Sequence, residues 1–192
     1  PYGSWCSPIT SDLIVAGAVR LGQIETEGEI VYWSEGRPAE KGRNVIVKRL
    51  PDGSTEDVLP SPFNARTLVN EYGGGSFTVS DGELYFSNFA DQRLYRIAPD
   101  AEPQAVTAES KFRYADGVVD RRRNRFVCVR EDHSVAGREA KTTLVAIDLA
   151  SGEQTVLAEG NDFYSSPRLS PDGKRLAWLV WNHPNTPGDE CD

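Results

Sequence analysis

Ile30-Val31-Tyr32-Trp33 is apolar at four successive positions. A β-strand turns alternate side chains to opposite faces, so a strand here is greasy on both. A sandwich strand alternates, because one of its faces meets water. A strand inside a propeller blade is covered on both sides by the neighbouring blades and has no need to. The same two-faced character recurs in Leu84-Tyr85-Phe86, Phe126-Val127-Cys128-Val129 and Leu176-Ala177-Trp178-Leu179-Val180-Trp181. Each run follows a tight turn: Glu27-Gly28, Asp81-Gly82, Arg123-Asn124 and Asp172-Gly173. Measured from Ile30, Leu84, Phe126 and Leu176, the intervals are 54, 42 and 50 residues. That spacing is the range of blade repeats.

Working outward, a second apolar run follows each of the first three: Val45-Ile46-Val47, Leu94-Tyr95-Arg96-Ile97 and Leu144-Val145-Ala146-Ile147. A turn and a short polar strand come next, at 55–59, 104–107 and 154–157. A Gly- or Ser-rich strand precedes the first run, as in Gly74-Gly75-Ser76-Phe77-Thr78-Val79 and Ser165-Ser166-Pro167-Arg168-Leu169. Helical periodicity is almost absent. The pattern predicts an all-β protein, a partial β-propeller of about three and a half four-stranded antiparallel blades. The blades fall at 12–60, 61–107 and 108–158, with a half blade at 159–192. The small-residue strand is expected innermost, where blades crowd the axis, and the polar strand outermost. A β-sandwich of irregular strands is the alternative. Three and a half blades do not close a ring of four to eight, so the chain reads as a truncated propeller, with Trp178 and Trp181 uncovered on its last strand. It begins with Pro and contains no Met, which fits a processed chain or a piece of something longer.

Of the 192 residues, 39% are hydrophobic and 17 are glycine, which fits a globular chain. Lys and Arg number 21 against 29 Asp and Glu, a net charge of −8. That balance argues against a nucleic-acid partner, which demands cations to displace phosphate counterions, and against an anionic membrane surface. No run of apolar residues is long enough to span a bilayer, and the N-terminus lacks the features of a signal peptide. Cys6, Cys128 and Cys191 are too few and too scattered for a disulfide framework or a zinc site. A cytoplasmic location is the default expectation. Whether Cys6 and Cys191 pair is left open, whereas Cys128, in an apolar run, is read as a buried inert thiol.

The chain carries no Gly-x-Ser-x-Gly elbow, and Ser76 does not supply one, because position 78 is Thr. Of the two histidines, His133 in Arg130-Glu131-Asp132-His133-Ser134 is read as a solvated loop residue and His183 as a turn residue. Glu131-Asp132 and Asp189-Glu190 are read as solvated acidic loops, Arg121-Arg122-Arg123 as a solvated hairpin tip. No metal site and no cofactor is expected, and no catalytic residue. Gly73-Gly74-Gly75 has no helix after it to cradle a phosphate, and is read as steric room near the axis.

Three segments carry a family resemblance: Phe63-Asn64-Ala65-Arg66-Thr67, Asn70-Glu71-Tyr72-Gly73-Gly74-Gly75, and Tyr85-Phe86-Ser87-Asn88-Phe89-Ala90-Asp91-Gln92-Arg93-Leu94-Tyr95. Together they resemble the N-terminal propeller of the prolyl oligopeptidase family of serine peptidases, in its acylaminoacyl-peptidase-like or dipeptidyl-aminopeptidase-like branch. Ser7-Pro8-Ile9-Thr10, Tyr32-Trp33-Ser34-Glu35-Gly36-Arg37-Pro38 and Leu169-Ser170-Pro171-Asp172-Gly173-Lys174-Arg175-Leu176 support it. The chain departs from the family pattern at Leu68 and Asn70, where a cation and a basic or imidazole side chain are expected, and at Cys6 and Thr186. The resemblance implies a propeller that caps a C-terminal α/β-hydrolase domain, absent from this chain, and admits only small peptides. On that reading the chain is the substrate-gating portion of a peptidase, a steric size filter without catalytic machinery.

Arg66, Glu71 and Tyr72 flank the innermost strand of the second unit and are the candidate substrate-binding residues. A carboxylate there can hold a peptide amine, and an arginine a carboxylate by a bidentate pair. The plainer alternative is a structural ion pair near the inner rim. A non-enzymatic binding or oligomerisation module, a homo-oligomer joined through the open half blade, is the second functional reading.

Overall fold

The structure is a computed structural model that describes residues 18–186, with Gly3, Pro8, Thr10 and Gly188 besides. Cys6, Cys191, Asp189 and Glu190 lie outside the described residues, and with them the question of the Cys6–Cys191 pair.

Four antiparallel sheets follow one another along the chain. The first holds β1 (Arg20–Glu27), β2 (Ile30–Arg37), β3 (Arg43–Arg49) and β4 (Thr55–Asp57). The second holds β5 (Phe77–Ser80), β6 (Glu83–Ser87), β7 (Leu94–Ile97) and β8 (Gln104–Ala105). The third holds β9 (Phe112–Asp120), β10 (Arg125–Asp132), β11 (Lys141–Asp148) and β12 (Gln154–Ala158). The fourth is two-stranded, β13 (Phe163–Leu169) with β14 (Leu176–Trp181). Strands lie in sequence order within every sheet, joined by hairpins. Asp81 and Gly82 have φ of +52° and +75°, the doubly left-handed turn that matches strand twist. Contacts between sheets run β1–β5, β5–β9 and β9–β13, so these four are the innermost strands. The expected three and a half blades are present.

The two-faced strands explain the core. Leu84 and Phe86 of β6 pack with Tyr32 and Ile46 of the first sheet. Tyr85, between them, points the other way and packs with Tyr114, Phe126 and Cys128 of the third. Phe126 and Cys128 of β10 in turn face the second sheet, while Val127 and Val129 face Tyr164, Leu176 and Trp178 of the fourth. One strand thus feeds two interfaces, and each fully buried large side chain contributes about 1.5–3 kcal/mol. The outermost β4 and β8 are exposed throughout.

Trp181 departs from the expectation of an uncovered end. It is 5% exposed and stacks on Phe163 at 5.4 Å, because the two residues pair across β13 and β14. Trp178 is half-buried against the third sheet. Ala177 and Leu179 are exposed at this end, and at the other end so are Leu21 and Ile24 of β1 and Val19 just before it.

The arginine run also differs from a free tip. Arg121 pairs with Asp81 at 3.0 Å and Glu83 at 2.8 Å, and donates to the Ser80 carbonyl. Arg123 donates to Asp120 and to the Gly173 carbonyl at 2.9 Å. The run clasps the third blade to both neighbours. Burial favours the protonated Asp120 carboxyl, yet Arg123 and Arg125 together hold it below the usual carboxylate range.

At the axis three of the four innermost strands bulge: β1 between Leu21 and Ile24, β9 opposite Val127–Val129, and β13 between Ser165 and Arg168. The bulges turn polar side chains onto neighbouring backbones. Gln23 accepts the Ser76 N–H at 2.9 Å and donates to the Phe77 carbonyl at 2.6 Å. Asp116, at φ +54°, accepts the Gly75 N–H at 2.5 Å through one oxygen and the Ser166 N–H at 3.1 Å through the other. A Cβ on Gly75 would lie 2.9 Å from the Asp116 carboxylate. The glycine run thus passes close against the β9 bulge, where a side chain would not fit.

Candidate functional site

Hairpin topology sorts the connections onto two faces. Tight turns such as 28–29, 81–82 and 121–124 lie on one. The other carries the β2–β3, β6–β7 and β10–β11 loops and the segments that lead from blade to blade. Arg66, Glu71 and Tyr72 all belong to one of those segments. It is anchored where Ala65 bridges Asn88 and where the Arg66 N–H donates to the Ser87 carbonyl at 3.0 Å.

The three candidates do not form one cluster. Arg66 is exposed, its guanidinium 4.8 Å from the centre of the Phe89 ring. Glu71 turns instead to the third blade, where Arg113 of β9 donates to it at 2.7 Å and also to the Leu68 carbonyl at 2.8 Å. That hydrogen bond and charge hold the Glu71 carboxyl below its usual range. Tyr72 is 75% exposed. Glu71 thus makes an ion pair, with Arg113 of the next blade and not with Arg66.

Of the partner groups on the third blade, Arg113 carries no sign in the sequence, and Glu131 and His133 read there as solvated loop residues. Glu131 is a buried residue of β10, not part of a solvated loop. One of its oxygens accepts the Asn70 N–H at 2.6 Å; the other lies 2.9 Å from His133 Nε2 and 3.8 Å from Arg113. His133 follows the strand directly and is half-buried, because its ring is drawn onto that carboxylate. Asn70, one of the positions that depart from the family pattern, keeps its side-chain Oδ1 buried without a hydrogen-bond donor.

These groups border an open cleft of about 690 Å³ between the third blade and the half blade, lined also by Arg138, Asp162, Phe163 and His183. Both histidines of the chain thus meet at one cleft, which their distance in sequence does not suggest. Its wall is rich in acceptors, and its aromatic floor, Phe163, is braced by Trp181. Among the described residues no set of His, Cys, Asp or Glu converges as metal ligands, and no described helix is long and apolar enough to cross a membrane.

Sheets stacked in an arc about an axis, with long loops gathered on one face, define a β-propeller. Over its whole length the chain is similar to a puromycin-hydrolysing peptidase of Mycobacterium tuberculosis, with 36% identity and a TM-score of 0.85, and it spans 32% of that protein. The resemblance to the propeller of the prolyl oligopeptidase family is borne out. Two remoter structures share the fold alone. Pyrococcus horikoshii acylaminoacyl peptidase matches 85% of this chain over 31% of its own, at 15% identity and TM-score 0.54. TolB from Acinetobacter baumannii matches 87% over 39% of its own, at 13% identity and TM-score 0.61. No protein-family model and no curated protein matches the sequence.

Proposed function

We propose that this chain is the propeller portion of a serine peptidase, joined in the longer protein to an α/β-hydrolase domain, and that it works as a steric filter for short peptides. The observation that carries the reading is the full-length similarity to a peptidase of which this chain spans only a third. The missing Gly-x-Ser-x-Gly elbow fits the same division of labour, with the chemistry on the other part. Arg66, Glu71 and Tyr72 are proposed to touch the peptide as it passes the long-loop face. Arg66 offers a guanidinium without a carboxylate partner among the described hydrogen bonds, and Tyr72 an exposed ring.

The purified chain is expected to leave chromogenic dipeptidyl and acyl-aminoacyl substrates intact, and turnover that survives repurification would refute the reading. Short peptides should still bind weakly. Arg66→Ala and Tyr72→Ala should each weaken that binding severalfold in an NMR titration, and unchanged affinity in both would remove these residues from the site.

A further inference from the structure

Asn70 and Glu71 have φ of +54° and +62°. They are the one pair of consecutive non-glycine residues in the left-handed region among the described residues. Asparagine tolerates that region, but glutamate gains nothing there from a short polar side chain. Left alone, the backbone should leave it. Such conformations persist where the surroundings over-determine them.

Here the surroundings come from another blade. Glu131 of β10 accepts the Asn70 N–H at 2.6 Å, and Arg113 of β9 grips the Leu68 carbonyl and the Glu71 carboxylate. Within the turn, the Glu71 N–H donates to Leu68 and the Gly73 N–H to Val69, closing a compact loop. Tyr72, at its crest, is 75% exposed.

We infer that Glu131 and Arg113 are positioning residues: the third blade holds the 70–73 turn of the second in a strained shape, and thereby sets Glu71 at the cleft and presents the next side chain, Tyr72, to solvent. The inference rests on the proposed function only in treating those two side chains as contact groups. The tether itself belongs to the chain alone. Without the Glu131 acceptor the turn relaxes towards right-handed backbone and Tyr72 swings away, while the blades stay in place.

The test is 19F NMR of the chain with its tyrosines replaced by 3-fluorotyrosine, the Tyr72 signal being assigned with Tyr72→Phe. Glu131→Ala should shift or average the Tyr72 resonance and leave those of buried Tyr85, Tyr114 and Tyr164 in place. Glu131→Gln, whose amide oxygen still accepts the Asn70 N–H, should restore it. Asn70→Gly combined with Glu131→Ala should recover part of the shift, because glycine accepts the left-handed shape freely. An unmoved Tyr72 in Glu131→Ala overturns the inference. If that variant also displaces the buried tyrosines, Arg113→Gln decides: Tyr72 moving alone supports the tether, and any other result overturns it. Lost peptide binding with a correctly held Tyr72 would count against the proposed function and leave the tether standing.

Discussion

Gly117 sits in the inner-strand bulge of β9 with the Phe126 ring directly over it. A Cβ there would fall 1.9 Å from Phe126 Cζ and 2.3 Å from Cε1. Such a contact is relieved only if something moves, and the ring has nowhere to go. Phe126 is 3% exposed and stacks on Tyr85 at 5.5 Å, and the Tyr85 hydroxyl is fixed on Glu83 at 2.6 Å. Gly117→Ala is therefore an overpacking substitution in a closed core, with an expected cost of about 3 kcal/mol, the upper part of the usual range. At 192 residues that corresponds to a fall in Tm of about 6–12 °C. Urea unfolding followed by tryptophan fluorescence and far-UV circular dichroism measures it. The cause is separable from the general loss of a glycine. Phe126→Leu removes the clashing atom, so the double variant should be more stable than the sum of the single effects by at least about 1 kcal/mol. A Gly117→Ala chain within about 0.5 kcal/mol of the parent would refute the packing described for the inner strands.

Two further outcomes test the interior. Asp120→Asn should cost about 1–2 kcal/mol at pH 7, because it removes the charge that Arg123 and Arg125 address. The folded carboxyl titrates below its unfolded value, so its stabilisation is complete above about pH 4 and is lost as the pH falls through the folded value. The gap between parent and variant should close towards pH 2, and a gap independent of pH would contradict the pairing. Cys128 is fully buried among apolar side chains, which pushes its thiol far above the usual range. Peptide mass mapping should find it unalkylated at pH 8 in the native chain and alkylated once the chain is unfolded; labelling of the native form would contradict its burial.

How far the sequence could be read depended on whether a feature was local or between blades. Runs such as Leu84-Tyr85-Phe86 declared their strands because hydrophobicity on both faces leaves few architectures, and Asp81-Gly82 declared its hairpin through a backbone shape that few residue pairs adopt. Glu131 and His133 were misread for the opposite reason. A cluster of charges after an apolar run has the look of a solvated connection, and only the approach of the 70–73 turn from another blade makes Glu131 a buried acceptor. Asp116 carried no signal either: Asp116-Gly117 has the composition of a hairpin turn yet lies inside β9. The candidate site was located in part. Glu71 lines the cleft with Tyr72 exposed beside it, but the contacts that hold their turn, Arg113 to Glu71 and Glu131 to Asn70, span 42 and 61 positions in sequence, and no spacing rule connects them.

The way Asp116 divides its two oxygens limits how such a chain can be rearranged. A repeat whose units touched only through greasy faces could gain or lose a sheet and find a similar surface waiting. Here one carboxylate answers a donor on each side, so cutting out or doubling a neighbour leaves a lone pair unanswered at the crowded centre. The third blade is thus less an interchangeable module than a keystone, and engineered insertions are better placed in the outer strands than across this joint.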